Sequence, residues 1–193
     1  MRIGALYFIN DAKRYILGNC PSLYNEICRT IESVDAYSHT FVSKSKTKRL
    51  MGKTVYAPKG LNESFRNNFE SCGWHKNSFK LKISYDGVEF MDGYRQPKPT
   101  SARNEVDFLK ERVAVEVQFG YMNYSFYDHL LKMPLFTNKG VIDVGVSIIP
   151  MKSFTKNMSD GTIDFLRAVR DMKKAEHAGL QVGARILILG VDA

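Results

Sequence analysis

Glu105-Val-Asp-Phe-Leu-Lys-Glu-Arg-Val-Ala-Val-Glu-Val-Gln-Phe-Gly120 is the stretch on which the reading of this chain turns. Val106, Phe108, Val113, Val115, Val117 and Phe119 alternate with other residues, the period-2 signature of strands with one buried face. Asp107, Glu116 and Gln118 take the opposite parity. A two- or four-residue loop centred on Glu111-Arg112 would fold the stretch into a hairpin with Asp107 facing Glu116. Cross-strand Cβ atoms lie roughly 5 Å apart, and like charges at that spacing repel. A divalent cation that takes oxygen from both carboxylates removes the repulsion. Two readings stand side by side: a metal site, or a solvent-facing hairpin edge whose acids happen to align.

The rest of the composition describes a globular chain. Its 193 residues suffice for a sizeable core, with a length that suggests one domain, and 12% aromatic residues exclude wholesale disorder. No run of about 18 apolar residues is present, so no membrane span is expected. The opening Met1-Arg-Ile-Gly-Ala-Leu-Tyr7 reads as a first strand rather than a signal peptide. Cys20, Cys28 and Cys72 are odd in number and unpaired in spacing, which suits free thiols in a reducing cytoplasm. His39, His75, His129 and His177 lack metal-ligand spacing and read as ordinary surface or core histidines. The net charge of +8 favours a polyanionic partner, of which nucleic acid is the commonest.

Along the chain, Arg2 to Ile9 reads as a strand with a turn at Asn10-Asp11. From Pro21 to Val34, Leu23, Tyr24, Ile27, Ile31 and Val34 recur at helical spacing, with Pro21 suited to the first turn; Glu26 and Glu32 fall off the stripe. Between Ala36 and Asn62 the only charges besides Lys53 and Lys59 are Lys44, Lys46, Lys48 and Arg49, apart from histidine. That segment is expected to form a long loop or loose hairpin, either simply soluble or wrapped on a duplex. Leu61, Phe65 and Phe69 predict a helix stopped by Gly73, with Trp74 packed beneath it. Phe79 to Tyr85 predicts a strand turning at Asp86-Gly87 into Val88-Glu-Phe90, and Arg95 to Arg103 an irregular connection. After Gly120, Tyr127, Leu130 and Leu131 predict one helical face, with Pro134 limiting its far end. Val141 to Ile149 reads as a strand buried on both faces, in which Asp143 calls for an edge position or a hydrogen bond. A polar loop from Pro150, carrying Lys152, feeds a helix from about Thr162 to Lys174 with Ile163, Leu166, Val169 and Met172 inward. Ser159 and Asp160 suit its cap. Ala184 to Gly190 reads as a last buried strand.

Ala114-Val-Glu-Val-Gln-Phe-Gly120 resembles the restriction endonucleases of the BglII and BstYI type, a branch of the PD-(D/E)XK nucleases in which Glu-x-Gln stands for the acid-x-Lys pattern. The likeness extends through Ser33-Val-Asp-Ala36, Ala57-Pro58 with Leu61-Asn-Glu-Ser-Phe65, and Ile142-Asp-Val-Gly-Val146 to Pro150-Met151. It implies an α/β fold, a restriction-endonuclease-like mixed central sheet flanked by helices, in one catalytic and DNA-binding domain over residues 1–193. It implies that Asp107 and Glu116, with the Val117 carbonyl, bind Mg²⁺, that Gln118 positions water or phosphate, and that Glu26 is a helical acid near the metal. Lys44, Lys46, Lys48, Arg49, Lys152, Ser159 and Asp160 become the DNA contacts, the last two as base readers or caps. Tyr121 stands where relatives carry Lys. The function implied is a cytoplasmic homodimeric enzyme that cuts a palindrome, a GATC-centred hexamer, in double-stranded DNA to leave 5′-phosphates, with a cognate DNA methyltransferase as its genetic partner. The alternatives are a basic nucleic-acid-binding protein without catalysis and a structure-specific PD-(D/E)XK repair nuclease.

Overall fold

The computed structural model describes residues 1–120, 123–159 and 161–193. The chain opens with β1 (Arg2–Ile9), α1 (Ala12–Asn19) and α2 (Pro21–Ser33), then a short hairpin of β2 (Thr40–Val42) and β3 (Thr54–Tyr56). Helix α3 (Pro58–Ser71) leads to β4 (His75–Ile83), β5 (Thr100–Lys110) and β6 (Val113–Val117). A composite helix follows: α4 (Asn123–Tyr127), a π-helical turn (Asp128–Lys132) and α5 (Met133–Asn138). Strand β7 (Val144–Pro150), α6 (Lys152–Thr155), α7 (Phe165–His177) and β8 (Ile186–Asp192) complete it.

Six strands form one sheet in the order β1-β8-β7-β6-β5-β4. β6, β7 and β8 are parallel, whereas β1, β5 and β4 join antiparallel, so the sheet is mixed. One face carries α1, α2 and α3 through Ile16, Ile27, Ile31, Phe65 and Phe69, packed on Val115, Val146 and Leu189. The other carries α5 and α7 through Met133, Phe136, Ala168 and Met172, packed on Ala114 and Ile188. This is the expected α/β architecture. β6 is buried along its whole length, on both faces, because parallel neighbours need crossover helices that cover the sheet twice. The one-buried-face reading of that stretch is therefore corrected.

The pairing Phe108↔Val115, Leu109↔Ala114 and Lys110↔Val113 leaves Glu111 and Arg112 as the two-residue connection, with Glu111 in the left-handed region at φ 52°. Against β4 the register slips. His75 pairs with Leu109 and Asn77 with Val106, so β5 spends three steps where β4 spends two. This bulge at Asp107-Phe108 breaks the alternation: Val106 and Leu109 face one core, while Phe108 faces the other.

Several other expectations change. Val88–Phe90 forms no strand; β4 pairs instead with β5, which begins at Thr100 inside the segment expected to be irregular. Pro134 does not end its helix but occupies the first turn of α5, where a missing N–H is harmless. The inward residues there are Ser125, Asp128, His129, Met133 and Phe136, whereas Tyr127 and Leu131 are exposed. The π turn accounts for the difference, since its extra residue rotates everything after it. Helix α7 starts at Phe165 and turns Phe165, Ala168, Met172 and Ala175 inward, leaving Leu166 exposed. Its cap is Asp164, which accepts a hydrogen bond from Arg167 N at 3.1 Å, in place of Ser159 or Asp160. The strands at the two termini and the helices led by Pro21 and Pro58 lie where their periodicity put them, with Trp74 edge-on to Phe69 at 5.4 Å. Among the described residues no helix is long and apolar enough to cross a membrane.

Candidate active site

Because β6 and β7 run parallel, their C-terminal ends open on the same side of the sheet, the usual location of ligand sites in open α/β sheets. A cleft lies there, lined by Asn62, Arg66 and Glu70 of α3, Lys76 of β4, Asp107 of β5, Glu116, Val117 and Gln118 at the end of β6, and Asp128 and Lys132 of the π turn. Asp107, Glu116, Val117 and Gln118, all expected at the site, thus meet in one place. The β5 bulge turns Asp107 to accept a hydrogen bond from Val117 N at 3.1 Å, tying the first acid to the strand that carries the second.

Glu116 is 2% exposed. Burial pushes its carboxyl well above the usual range, and repulsion from Asp107 and Asp128 adds to the effect against the opposing pull of Lys132. Lys132 Nζ lies 2.7 Å from Glu116 Oε1 and 2.7 Å from Asp128 Oδ1. The approach to Oε1 is an ion pair off the hydrogen-bonding direction, so that atom is buried without a directed partner. Asp128 is also raised by burial, with Lys132 opposing. Lys132 itself is held above the ordinary lysine range: the two carboxylates outweigh the burial that works against its charge. Gln118 donates its amide to Asp128 Oδ2 and its backbone N–H to Ile148 O at 2.9 Å. Behind this layer His129 is fully buried against Ser147 at 2.8 Å, and burial lowers its pKa to about 4, which keeps the ring neutral.

Asp128 and Lys132 were missed by sequence reasoning. Their one signal was an i,i+4 acid–base pair, which on an ordinary helix marks a solvated face. Glu26 is placed elsewhere: its carboxylate takes Lys110 Nζ at 2.7 Å and Trp74 Nε1 at 3.0 Å, and it does not line the cleft. Burial works to raise its pKa, but these two donors outweigh it and the net shift is downward. The expectation of Glu26 near the metal is corrected accordingly; the off-stripe glutamate serves a structural ion pair.

Lys44, Lys46 and Lys48 are exposed on the connection between β2 and β3. Arg49 donates to Lys156 O at 2.7 Å and Met158 O at 2.8 Å, and Tyr56 N donates to Asn157 O at 2.8 Å. The basic hairpin is thereby stitched to the segment that follows α6, in which Ser159 is exposed and Lys152 heads the helix. Asp160 and Tyr121 lie outside the described residues.

The family model for restriction endonuclease BglII/BglIII matches residues 5–190. The chain belongs to that family. Its members are type II site-specific deoxyribonucleases, and the cleft is accordingly the candidate centre for phosphodiester hydrolysis. The solved structure of BglII complexed with a DNA 16-mer superposes with a TM-score of 0.71 at 18% identity, covering 98% of this chain and 76% of that one. Free BglII gives 0.63 at 18% identity, over 100% and 80% of the two chains. The likeness is one of fold. Comparison with curated proteins finds no match.

Restriction endonucleases generally use a divalent metal, and the donors of the cleft fit one. Two carboxylates line it together, and one buried oxygen, Glu116 Oε1, has no directed hydrogen bond. Among the described residues no group of three or more His, Cys, Asp and Glu side chains is gathered as a ready metal cage. The protein's share of a coordination shell is therefore sparse, as hard-oxygen sites that retain water require.

Proposed function

We propose that this chain is a Mg²⁺-dependent restriction endonuclease that cuts both strands of a palindromic duplex, a GATC-centred hexamer, and leaves 5′-phosphate ends. The observation that carries the reading is the convergence of Asp107 and Glu116 in one cleft at the C-terminal end of β6, beside Gln118. Asp107, Glu116 and the Val117 carbonyl would hold Mg²⁺, which suits a shell of one or two carboxylates completed by water and phosphate. Bound there, the ion supplies Lewis acidity at the phosphate. Gln118 bears no charge and cannot serve as a base near neutral pH, so its amide orients water or phosphate. Its bond to Asp128 fixes that orientation.

A two-fold symmetric target calls for a symmetric homodimer. Lys44, Lys46, Lys48 and Lys152 supply phosphate contacts, and Ser159 with Asp160 reads bases, a carboxylate suiting cytosine N4. Arg49, tied to the carbonyls of Lys156 and Met158, holds the basic hairpin against that reading segment. A cognate DNA methyltransferase protecting the same sequence is the expected genetic partner. Plasmid digestion in Mg²⁺ followed by sequencing of the fragment ends tests the reading as a whole. Discrete ends at one palindrome with 5′-phosphates support it; a smear, or cutting only at junctions, points to a structure-specific nuclease. Intact DNA with retained binding would leave a non-catalytic DNA binder.

A further inference from the structure

The strand bearing Glu116 and Gln118 brings no cation to the cleft, but the helix beside it does. We infer that Lys132 is a catalytic residue whose ammonium, delivered by the π turn, contacts the scissile phosphate; this rests on the nuclease reading of the cleft. The Lys132 side chain is 13% exposed, against 58% for Lys76, which is spent on Glu105 at 2.5 Å. Lysine stems on a helix ordinarily carry the charge out to water, and burying it costs free energy that its partners must offset. Lys132 instead lies over the cleft floor.

An ammonium has three donors. Two are directed toward Glu116 Oε1 and Asp128 Oδ1, each at 2.7 Å, and the third has no partner among the described residues. The same residue lines the cleft, so its remaining N–H and its residual exposure are available to a ligand there. Asp128 holds both Lys132 and Gln118, setting the ammonium and the amide in one frame.

The backbone is shaped for this placement. Met133 N–H donates to Asp128 O, an i→i−5 bond that inserts one residue into the helix, a distortion common at functional sites. Met133 then packs on β7 so closely that a Cβ at Gly145 would meet its Sδ at 2.6 Å. Glycine at 145 lets the helix settle onto the sheet and brings Lys132 down to Glu116.

In hydrolysis, the water oxygen forms a bond to phosphorus while the P–O3′ bond breaks. One water proton stays on the new 5′-phosphate, to be lost to solvent, and the departing 3′-oxygen takes a proton from solvent. Lys132 keeps its proton throughout. It donates a hydrogen bond to a non-bridging oxygen, where negative charge gathers in the transition state.

The test compares wild type, Lys132→Met and the charge-balanced pair Lys132→Met with Asp128→Asn. The pair guards against misfolding from two stranded carboxylates, and its thermal melt should match wild type. Single-turnover cleavage in Mg²⁺ should fall about 10²–10³-fold in both variants, the usual cost of one preorganised donor. A second readout needs no metal. Fluorescence anisotropy with a duplex carrying a neutral methylphosphonate at the scissile position should show weakened binding to wild type and no such weakening for the balanced variant. Cleavage by that variant within about threefold of wild type, or equal methylphosphonate sensitivity in the two proteins, would overturn the role of Lys132. Wild type that leaves DNA intact would overturn the nuclease reading first, and this inference with it.

Discussion

The two ends of the central sheet treat charge in opposite ways. At the N-terminal end of β6 and β7, Arg112 grips Asp143 with Nε and Nη2, both at 2.6 Å, and Tyr15 adds its hydroxyl at 2.9 Å. Asp11 and Arg185 pair beside them at 2.6 Å. Each acid there has its own arginine, and the Arg112 guanidinium holds Asp143 below its ordinary pKa. At the C-terminal end, Lys132 alone is set between Glu116 and Asp128 with Asp107 close by, in a far drier setting, and Glu116 is pushed upward. A bidentate, partly solvated pair is satisfied and holds the fold together. A buried set with fewer cations than acids is not satisfied, and it persists where a ligand completes it. The contrast separates a structural cluster from a functional one although both are built from the same residue types.

The largest effect should come from emptying the functional end. Asp107→Asn or Glu116→Gln should slow cleavage about a thousandfold or more in single-turnover assays, the equivalent of several kcal/mol of lost transition-state stabilisation. Glu116→Gln should melt no lower than wild type at neutral pH, because it removes a charge that burial disfavours. Retained cutting by either variant would dissolve the contrast.

The next effect lies behind the site. His129 is neutral in the fold with its pKa lowered to about 4, while an unfolded histidine titrates near 6.5. The unfolded state therefore binds more protons between those values, so stability falls as pH drops from about 6.5 and levels off below the folded pKa. Melting curves of His129→Gln across that window should be flatter than those of wild type.

Smaller still, Asp143→Asn should cost about 1 kcal/mol, or roughly 2–4 °C in melting temperature, and leave cleavage intact. Its stabilisation is present above the unfolded carboxylate pKa and disappears as pH falls through the depressed folded value, a window below that of His129. A loss of cleavage in Asp143→Asn would erase the distinction between the two ends. The smallest effect belongs to the basic hairpin: Lys46→Ala should lower the slope of log affinity against log salt by about one, read by anisotropy titration.

How much of this was legible beforehand follows from the range of each interaction. Asp107 and Glu116 could be paired because two short strands joined through Glu111-Arg112 have few possible registers, each visible as period-2 alternation. Gln118 and Val117 came with the same strand. Helices led by Pro21 and Pro58 announced themselves through apolar residues three and four apart. Glu26 misled because a residue off the apolar stripe has several neighbours to choose from, and Lys110 and Trp74 were the ones the fold supplied. Asp128 and Lys132 were invisible as site residues because a regular helical period assigns them a face that the π turn then rotates away.

The sequence alone determined the class of fold, the buried parallel strands and the two acids on one hairpin, since alternation, turn chemistry and net charge are local properties written residue by residue. Only the tertiary structure decided which cation meets those acids. The β5 bulge depends on registry with β4, and the π turn on how closely Met133 can approach Gly145. Both are outcomes of packing between segments distant in the chain, and packing has no period to read.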